Sequence, residues 1–239
     1  GSTHIRAFIL RLSQRLNTIL DMIDINYDHI WDTCCDHGLL GRAIYLHKPN
    51  SAVHFVDVMP HLIKNIHNEL SEDARFNDSS RWSAHALDSA DIPLQTDQSH
   101  LVIIAGVGGD LLLKLVQDIL LKNPKHIKID FILCPVRQLH KVRFGLKQVD
   151  LALVSEQLIK EFGHYYELLH VSNHRDGETV GPIGKTMWNL TREVDQEYLK
   201  KNVRHYGNMC KQTSQIKNIK GGISAQYIYD LYKALEAKL

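Results

Sequence analysis

The sequence predicts an α/β fold: a mostly parallel sheet flanked by helices, with one helix before it and a helical hairpin after it. Three observations carry this. Short apolar runs alternate with amphipathic stretches between residues 29 and 149, the pattern of successive βα units. Two strand-like runs, 151–160 and 164–171, then follow each other with only a short turn containing Gly163 between them. Beyond Gly177 the apolar spacing changes to four and three residues, the period of packed helices.

In order along the chain, residues 5–23 place Ile9, Leu12, Leu16, Ile19, Leu20 and Ile23 at helical spacing. Strands are expected at 29–34, 52–57, 81–86, 100–105 and 129–134. Helices are expected at 38–47, 60–70, 110–121 and 137–149, and Pro60 suits a first helical turn. Five βα units closed by a strand pair form the pattern of a class I, Rossmann-like sheet as found in methyltransferases that use S-adenosylmethionine (SAM). A plain dinucleotide-binding fold continues with another βα unit instead. Ile183, Met187, Leu190, Val194 and Tyr198, and then Ile228, Leu231, Leu235 and Leu239 after Gly221-Gly222, predict two packed helices. The expected division is a domain over 1–176 and a helical, coiled-coil-like region over 177–239. Those helices either bind a partner or simply cover the sheet.

Composition narrows the class. With 44% hydrophobic and 23% charged residues, the chain reads as globular, and no apolar run is long enough for a membrane helix. Gly1 and Ser2 read as a cloning remnant with no signal peptide behind them. Four cysteines form no secreted disulfide framework, so the expectation is a cytoplasmic protein. The net charge of +1 hides an asymmetry: residues 185–239 hold 10 Lys+Arg against 5 Asp+Glu. A basic tail on an acidic body fits an anionic partner, or else a solvated helical surface.

Five places carry candidate chemistry. The first loop, Asp32-Thr33-Cys34-Cys35-Asp36-His37-Gly38, joins the first strand to the first sheet helix, where doubly wound folds bind ligands. It is not a G-x-G-x-x-G fingerprint, which argues against a nicotinamide dehydrogenase. Nor can four consecutive residues readily converge on one metal ion, and no metal is expected. Asp57, with Val58 beside it, ends the second strand and is placed for ribose hydroxyls, or for capping the next helix. Asp88 follows the third strand, facing an adenine amine or serving as an ordinary loop residue. Ala105-Gly106-Val107-Gly108-Gly109 allows close backbone approach by a ligand. Finally, Pro135 could stack on a substrate base, and Arg137 could hold a phosphate or lie on the helix surface.

With these residues in place, the sequence resembles the bacterial TrmK family, tRNA (adenine(22)-N1)-methyltransferases, as a divergent member. The resemblance spans nearly the whole chain. It rests on Ser13-Gln14-Arg15-Leu16, the Asp36-His37 pair in the first loop, Asp57, Ile104-Ala105-Gly106-Val107-Gly108-Gly109, Leu133-Cys134-Pro135-Val136, Tyr166-Glu167 and Gly181-Pro182. Two positions depart from the pattern: Cys34 stands where the family has glycine, and Val136 where it has asparagine. The Cys34 departure is expected to narrow the cofactor pocket.

The resemblance implies methyl transfer from SAM, giving S-adenosylhomocysteine, to N1 of an adenine in tRNA. Cofactor contacts are then expected from Asp32, Cys34, Asp36, His37, Gly38, Asp57, Val58, Asp88, Ala105, Gly106, Gly108 and Gly109. Asp36, Pro135 and Val136 are expected at the reacting base, with Asp36 a carboxylate for its developing charge. Arg15, Arg137, Lys200, Lys201 and Arg204 are expected on the RNA backbone. The protein is expected to act as a monomer or weak dimer. Rival readings are a methyltransferase for another RNA or a small molecule, and an RNA-binding protein without activity.

Overall fold

The computed structural model describes residues 12–212, 218–219 and 223–239. Helix α1 (Gln14–Met22) begins at the N-cap Ser13, whose hydroxyl accepts from the Leu16 N–H, the capping expected of serine. The earlier part of the predicted 5–23 helix, Ile9 included, lies outside the described residues. Then come β1 (His29–Thr33), α2 (Leu39–His47), β2 (Ala52–Asp57), α3 (Pro60–Glu72), β3 (Trp82–Ala86), β4 (Ser99–Ala105), α4 (Gly109–Lys122), β5 (Lys128–Cys134) and α5 (Leu139–Gln148). The strand pair β6 (Ala152–Glu161) and β7 (His164–Ser172) follows. These bounds fall within two residues of the expected ones at nearly every end.

Eight strands form one sheet in the order β3-β2-β1-β4-β5-β7-β6-β8, where β8 is Glu178–Thr179. β1 to β5 are parallel, and β7 runs antiparallel to both β5 and β6. The order reverses between β1 and β4, the point at which such sheets open a crevice beyond the strand carboxyl ends. Period-two alternation assigns the faces. Ile30, Val53 and Phe55 pack with Ile19 of α1, Leu40 of α2 and Ile66 of α3. Trp31, Val56 and Val102 pack on the other face with Leu112 of α4 and Val142 of α5.

Two expectations need correction. The third strand is followed by no α-helix, only a 3-10 turn at Ser89–Asp91 capped by Asp88, so one of the five βα units is incomplete. The helix expected from Ile183 starts ten residues later, as α6 (Glu193–Lys211). Ile183 and Met187 are buried, so their spacing reported burial without helix. Gly181-Pro182 and the left-handed Gly184 (φ +82°) hold that segment in turns, which glycine tolerates and a helix does not.

Two-residue strands β9 (Asn218–Ile219) and β10 (Ile223–Ser224) precede α7 (Ala225–Glu236). Gly221-Gly222 lie outside the described residues. α6 and α7 form the expected hairpin around Leu199, Tyr206, Ile228 and Tyr232. β8 still pairs with β6, so the chain leaves the sheet a few residues after position 176. Among the described residues, no helix is long and apolar enough to cross a membrane.

Candidate active site

The loop after β1 is built on two left-handed residues, Cys34 (φ +56°) and Asp36 (φ +52°), followed by Gly38 (φ +75°). Cys34 thus keeps a conformation natural to the glycine of the related pattern, at a cost in backbone strain. The Cys35 N–H donates to the Val56 carbonyl (3.1 Å) and the Gly38 N–H to the Cys35 carbonyl (2.8 Å), which folds the loop over the end of β2. Asp32 is set beneath it. It is buried, and its Oδ2 accepts from the Gly41 N–H at 3.0 Å. Burial raises its pKa to about 7, opposed by that N–H and reinforced by the negative charge of Asp57. Asp32 therefore anchors α2 and does not line an open surface, because it shares the inward face of β1 with Ile30.

Asp57 sits at the carboxyl end of β2. Its Oδ2 accepts from the Asp36 N–H (3.3 Å) and its Oδ1 from the Met59 N–H (3.0 Å). The α3 N-cap is Met59 itself, with Pro60 in the first turn. Asp57 thus ties the first loop to the start of α3. Asp36 and His37 are mostly exposed, their side chains 3.7 Å apart. Val58 beside Asp57 is 61% exposed. The exposed Asp88 spends Oδ1 on the Ala90 N–H at 2.8 Å, so the ordinary-loop role is real. Its second oxygen makes no hydrogen bond within the described residues.

Beyond β4, Gly106 is left-handed (φ +78°), and an added Cβ would meet nothing within 4 Å. At Gly108 an added Cβ would lie 2.7 Å from Arg137 Nε, so the guanidinium lies across the glycine backbone. Backbone bonds stitch this loop to the one after β5: Gly106 N–H to Cys134 O (3.1 Å), Val136 N–H to Val107 O (3.0 Å) and Gly109 N–H to Arg137 O (3.2 Å). Gln138, left-handed at φ +63°, adds side-chain bonds to the Asp110 N–H (accepting, 3.0 Å) and to Asp110 Oδ2 (donating, 2.9 Å). The expected cofactor and substrate loops are thus one rigid corner. Pro135 is buried there, so it does not form the open stacking platform expected of it. The neighbouring Val136 is 43% exposed and takes the outward position.

Val136 opens into a cleft of about 720 Å³. Its walls come from α5 (His140, Lys141), from the start of β7 (His164, Tyr165, Tyr166) and from α6 (Tyr198, Lys201, Asn202, His205, Tyr206). Lys201 Nζ lies 5.1 Å from the centre of the Tyr165 ring. Arg15 of α1 lies 5.0 Å above the Tyr166 ring, and its backbone N–H donates to Glu161 (3.2 Å). Lys200 and Arg204 are exposed on α6 but do not line this cleft. Sequence reasoning missed Gln138, His164, Tyr165 and His205. Tyr165 stands beside the Tyr166-Glu167 pair that carried the resemblance, but only the strand ladder brings it opposite α6.

The chemistry this arrangement can support is specific. The loops at the carboxyl ends of β2, β3 and β4, beside the sheet's switch point, carry the carboxylates of Asp57 and Asp88, an exposed valine and an open glycine backbone. The adjoining cleft offers cations and tyrosine rings. The loops fit a nucleoside with free ribose hydroxyls, and the cleft fits an unstacked base with its phosphates.

Comparison with known proteins agrees with this geometry. A family model described as "Methyltransferase domain" matches residues 12–169. No curated protein matches the sequence. Among solved structures, M. capricolum TrmK in complex with S-adenosyl-homocysteine superposes with a TM-score of 0.70 at 17% identity, covering 95% of this chain and 97% of that one. The B. subtilis M1A22 tRNA methyltransferase TrmK superposes at 0.68 and 19% identity, covering 96% and 97%. A Streptococcus pneumoniae protein, Sp1610, in complex with S-adenosyl-L-methionine superposes at 0.67 and 16% identity, covering 95% and 99%. At these identities the likeness is one of fold, and it extends over the C-terminal helices as well as the sheet.

Proposed function

The chain belongs to the methyltransferase domain family, and from that premise we infer that it transfers a methyl group from SAM to N1 of an adenine in tRNA. The observation that carries this reading is the cleft opening at Val136, where the glycine-rich corner meets tyrosines of β7 and lysine of α6. Lys201 beside the Tyr165 ring in that cleft suits an unstacked base with its phosphate. The TrmK structures, one of them in complex with S-adenosyl-homocysteine, have the same fold.

In this reading the loop from Cys34 to Gly38, with Asp57, Val58, Asp88 and Ala105–Gly109, holds the cofactor, and Asp32 supports the loop from below. The residues fit the group: Gly106 leaves room, Val58 offers apolar surface, and the carboxylates suit ribose hydroxyls and a cationic sulfur. When bound, SAM supplies an electrophilic methyl group. Adenine N1 carries its own lone pair, so no strong base is needed. Attack by N1 on that methyl would form the N–C bond as the C–S bond breaks, the electron pair staying on sulfur. Most of the rate comes from holding the two partners in line. The methylated base is cationic, and the exposed carboxylate of Asp36 favours that charge.

Arg15, Arg137, Lys200, Lys201 and Arg204 hold RNA phosphates. The sheet region through β8 forms the catalytic domain, and the helical region after it faces the RNA. The protein works in the cytoplasm as a monomer or weak dimer.

The test is SAM and S-adenosylhomocysteine binding by calorimetry, with tritiated methyl transfer to bulk tRNA in parallel. Binding with transfer that falls steeply with salt supports the reading. Binding without transfer to tRNA redirects the search to another RNA or a small molecule. No binding refutes the enzyme.

A further inference from the structure

Phe162 is 92% exposed, at the tip of the turn between β6 and β7. Its backbone is left-handed (φ +48°), as is that of the next residue, Gly163 (φ +79°). A bulky side chain is strained there, and glycine or asparagine would serve the turn better. The phenyl ring packs into no part of the core. Folding therefore gives no reason for an aromatic residue at this position, and a bulky side chain kept on a left-handed turn residue points to a role outside the fold.

The finger that carries it is long and braced. The β5–β7 ladder ends at Leu133 opposite Leu169, so His164–Leu168 run on past it. Five residues of antiparallel strand reach about 17 Å beyond that pair. The overhang lies on the side of the sheet where the glycine-rich corner sits, since His164, Tyr165 and Tyr166 share the cleft with Val136. On one side α1 holds the finger through the bond between the Arg15 N–H and Glu161. On the other, Glu197 of α6 accepts from Lys160 Nζ (2.9 Å) and Tyr165 Oη (3.0 Å). Lys201 and His205 line the cleft just behind it.

N1 of a paired or stacked adenine is inaccessible, so the base must leave its helix before it can react. We propose that Phe162 is a wedge: it enters the RNA stack where the target adenine leaves, while the adenine enters the cleft at Val136. This rests on the RNA methyltransferase reading above. The ring covers the exposed faces of the neighbouring bases, as apolar wedges do at unstacked steps. The cations around the cleft suit phosphates on either side.

The test compares wild-type protein with Phe162→Ala and Phe162→Trp on two RNAs. One is the folded tRNA that accepts methyl groups; the other is a linear oligonucleotide carrying the same target adenine. Phe162→Ala is expected to lower kcat/KM on folded tRNA by about 10-fold or more. It should leave the linear strand within about 2-fold, because that base is already unstacked. Phe162→Trp should retain activity on both, and SAM affinity should be unchanged in all three proteins. Equal activity of Phe162→Ala and wild type on both RNAs overturns the wedge, and so does an equal loss on both. A wild-type dimer that Phe162→Ala dissociates in sedimentation assigns the ring to a second copy and overturns it too. Inactivity of the wild type on every RNA removes the underlying reading as well, so the two failures are distinguishable.

Discussion

At the scale of the residue, Asp57 shows how one carboxylate can hold a site together. It accepts from the N–H groups of Asp36 and Met59, and so joins the first loop to α3. If it also meets ribose hydroxyls, Asp57→Ala removes a ligand contact and loosens the loop together. SAM affinity measured by calorimetry should fall about 10-fold or more, the scale of one or two hydrogen bonds to a charged group. An affinity equal to wild type would remove Asp57 from the cofactor site. Most of this residue-level picture was legible in the sequence: the first loop, Asp57 and the glycine run all stand at carboxyl ends of strands. The exceptions have physical causes. Asp32 turned inward because alternation along β1 puts it on the Ile30 face. Pro135 is buried and Val136 exposed, which depends on how the two loops are stitched and not on residue type.

At the scale of the element, the missing helix after β3 leaves one face of β1–β4 to side chains of an unusual kind. His29 Nδ1 and His54 Nε2 are 2.8 Å apart, and His54 Nδ1 and His85 Nε2 3.1 Å. Ser83 bonds both His54 and His85, and Trp31 stacks on His54 at 3.8 Å while donating to His100. The rings form a hydrogen-bonded chain across neighbouring strands. Burial, and then the nearby His29, His85 and His100, lower the His54 pKa to about 3. Burial lowers His85 and His100 too.

These groups are neutral when folded and take up protons near pH 6.5 when unfolded. The unfolded state binds more protons between those values, so stability is complete above about pH 6.5 and is lost on acidification toward about pH 3. His54→Gln, which keeps a polar side chain there, should shrink the drop in Tm between pH 7 and pH 5. A Tm–pH curve parallel to wild type would contradict this. Strand positions were readable from alternation, but the ladder was not. His29, His54, His85 and His100 are far apart in sequence, and only the parallel register brings them together.

At the scale of the whole molecule, a buried ion cluster joins the sheet domain to the C-terminal region. Arg143 of α5 is fully buried and pairs with Glu156 of β6 (2.9 Å) and Glu167 of β7 (2.8 Å), while also donating to the Gly181 carbonyl (3.0 Å). Tyr198 of α6 donates to Glu167, and Glu156 accepts from the N–H groups of Lys185 (2.6 Å) and Thr186 (2.9 Å). Arg143→Met would leave two carboxylates buried without their cation, a loss of roughly 3–5 kcal/mol. The urea midpoint should fall accordingly, and the 181–192 segment should become open to proteolysis. A midpoint within experimental error of wild type would show that the cluster contributes nothing. Arg143→Lys should recover only part, because an ammonium cannot fork between two partners as guanidinium does.

What the sequence determined by itself is what local spacing encodes: the strand and helix order, the class of sheet, the loops at carboxyl ends and the two C-terminal helices. These follow from periods of 2 and 3.6 and from glycine and proline, which act within a few residues. What only the tertiary structure decided is which distant residues meet. Arg143 lies 13 and 24 residues from Glu156 and Glu167, and only the fold buries it between these two glutamates. Tyr165, Lys201 and Val136 share one cleft only because β7 overhangs β5 and α6 packs back against it. Contacts of that kind depend on register and packing between segments far apart in the chain, and no local pattern carries them.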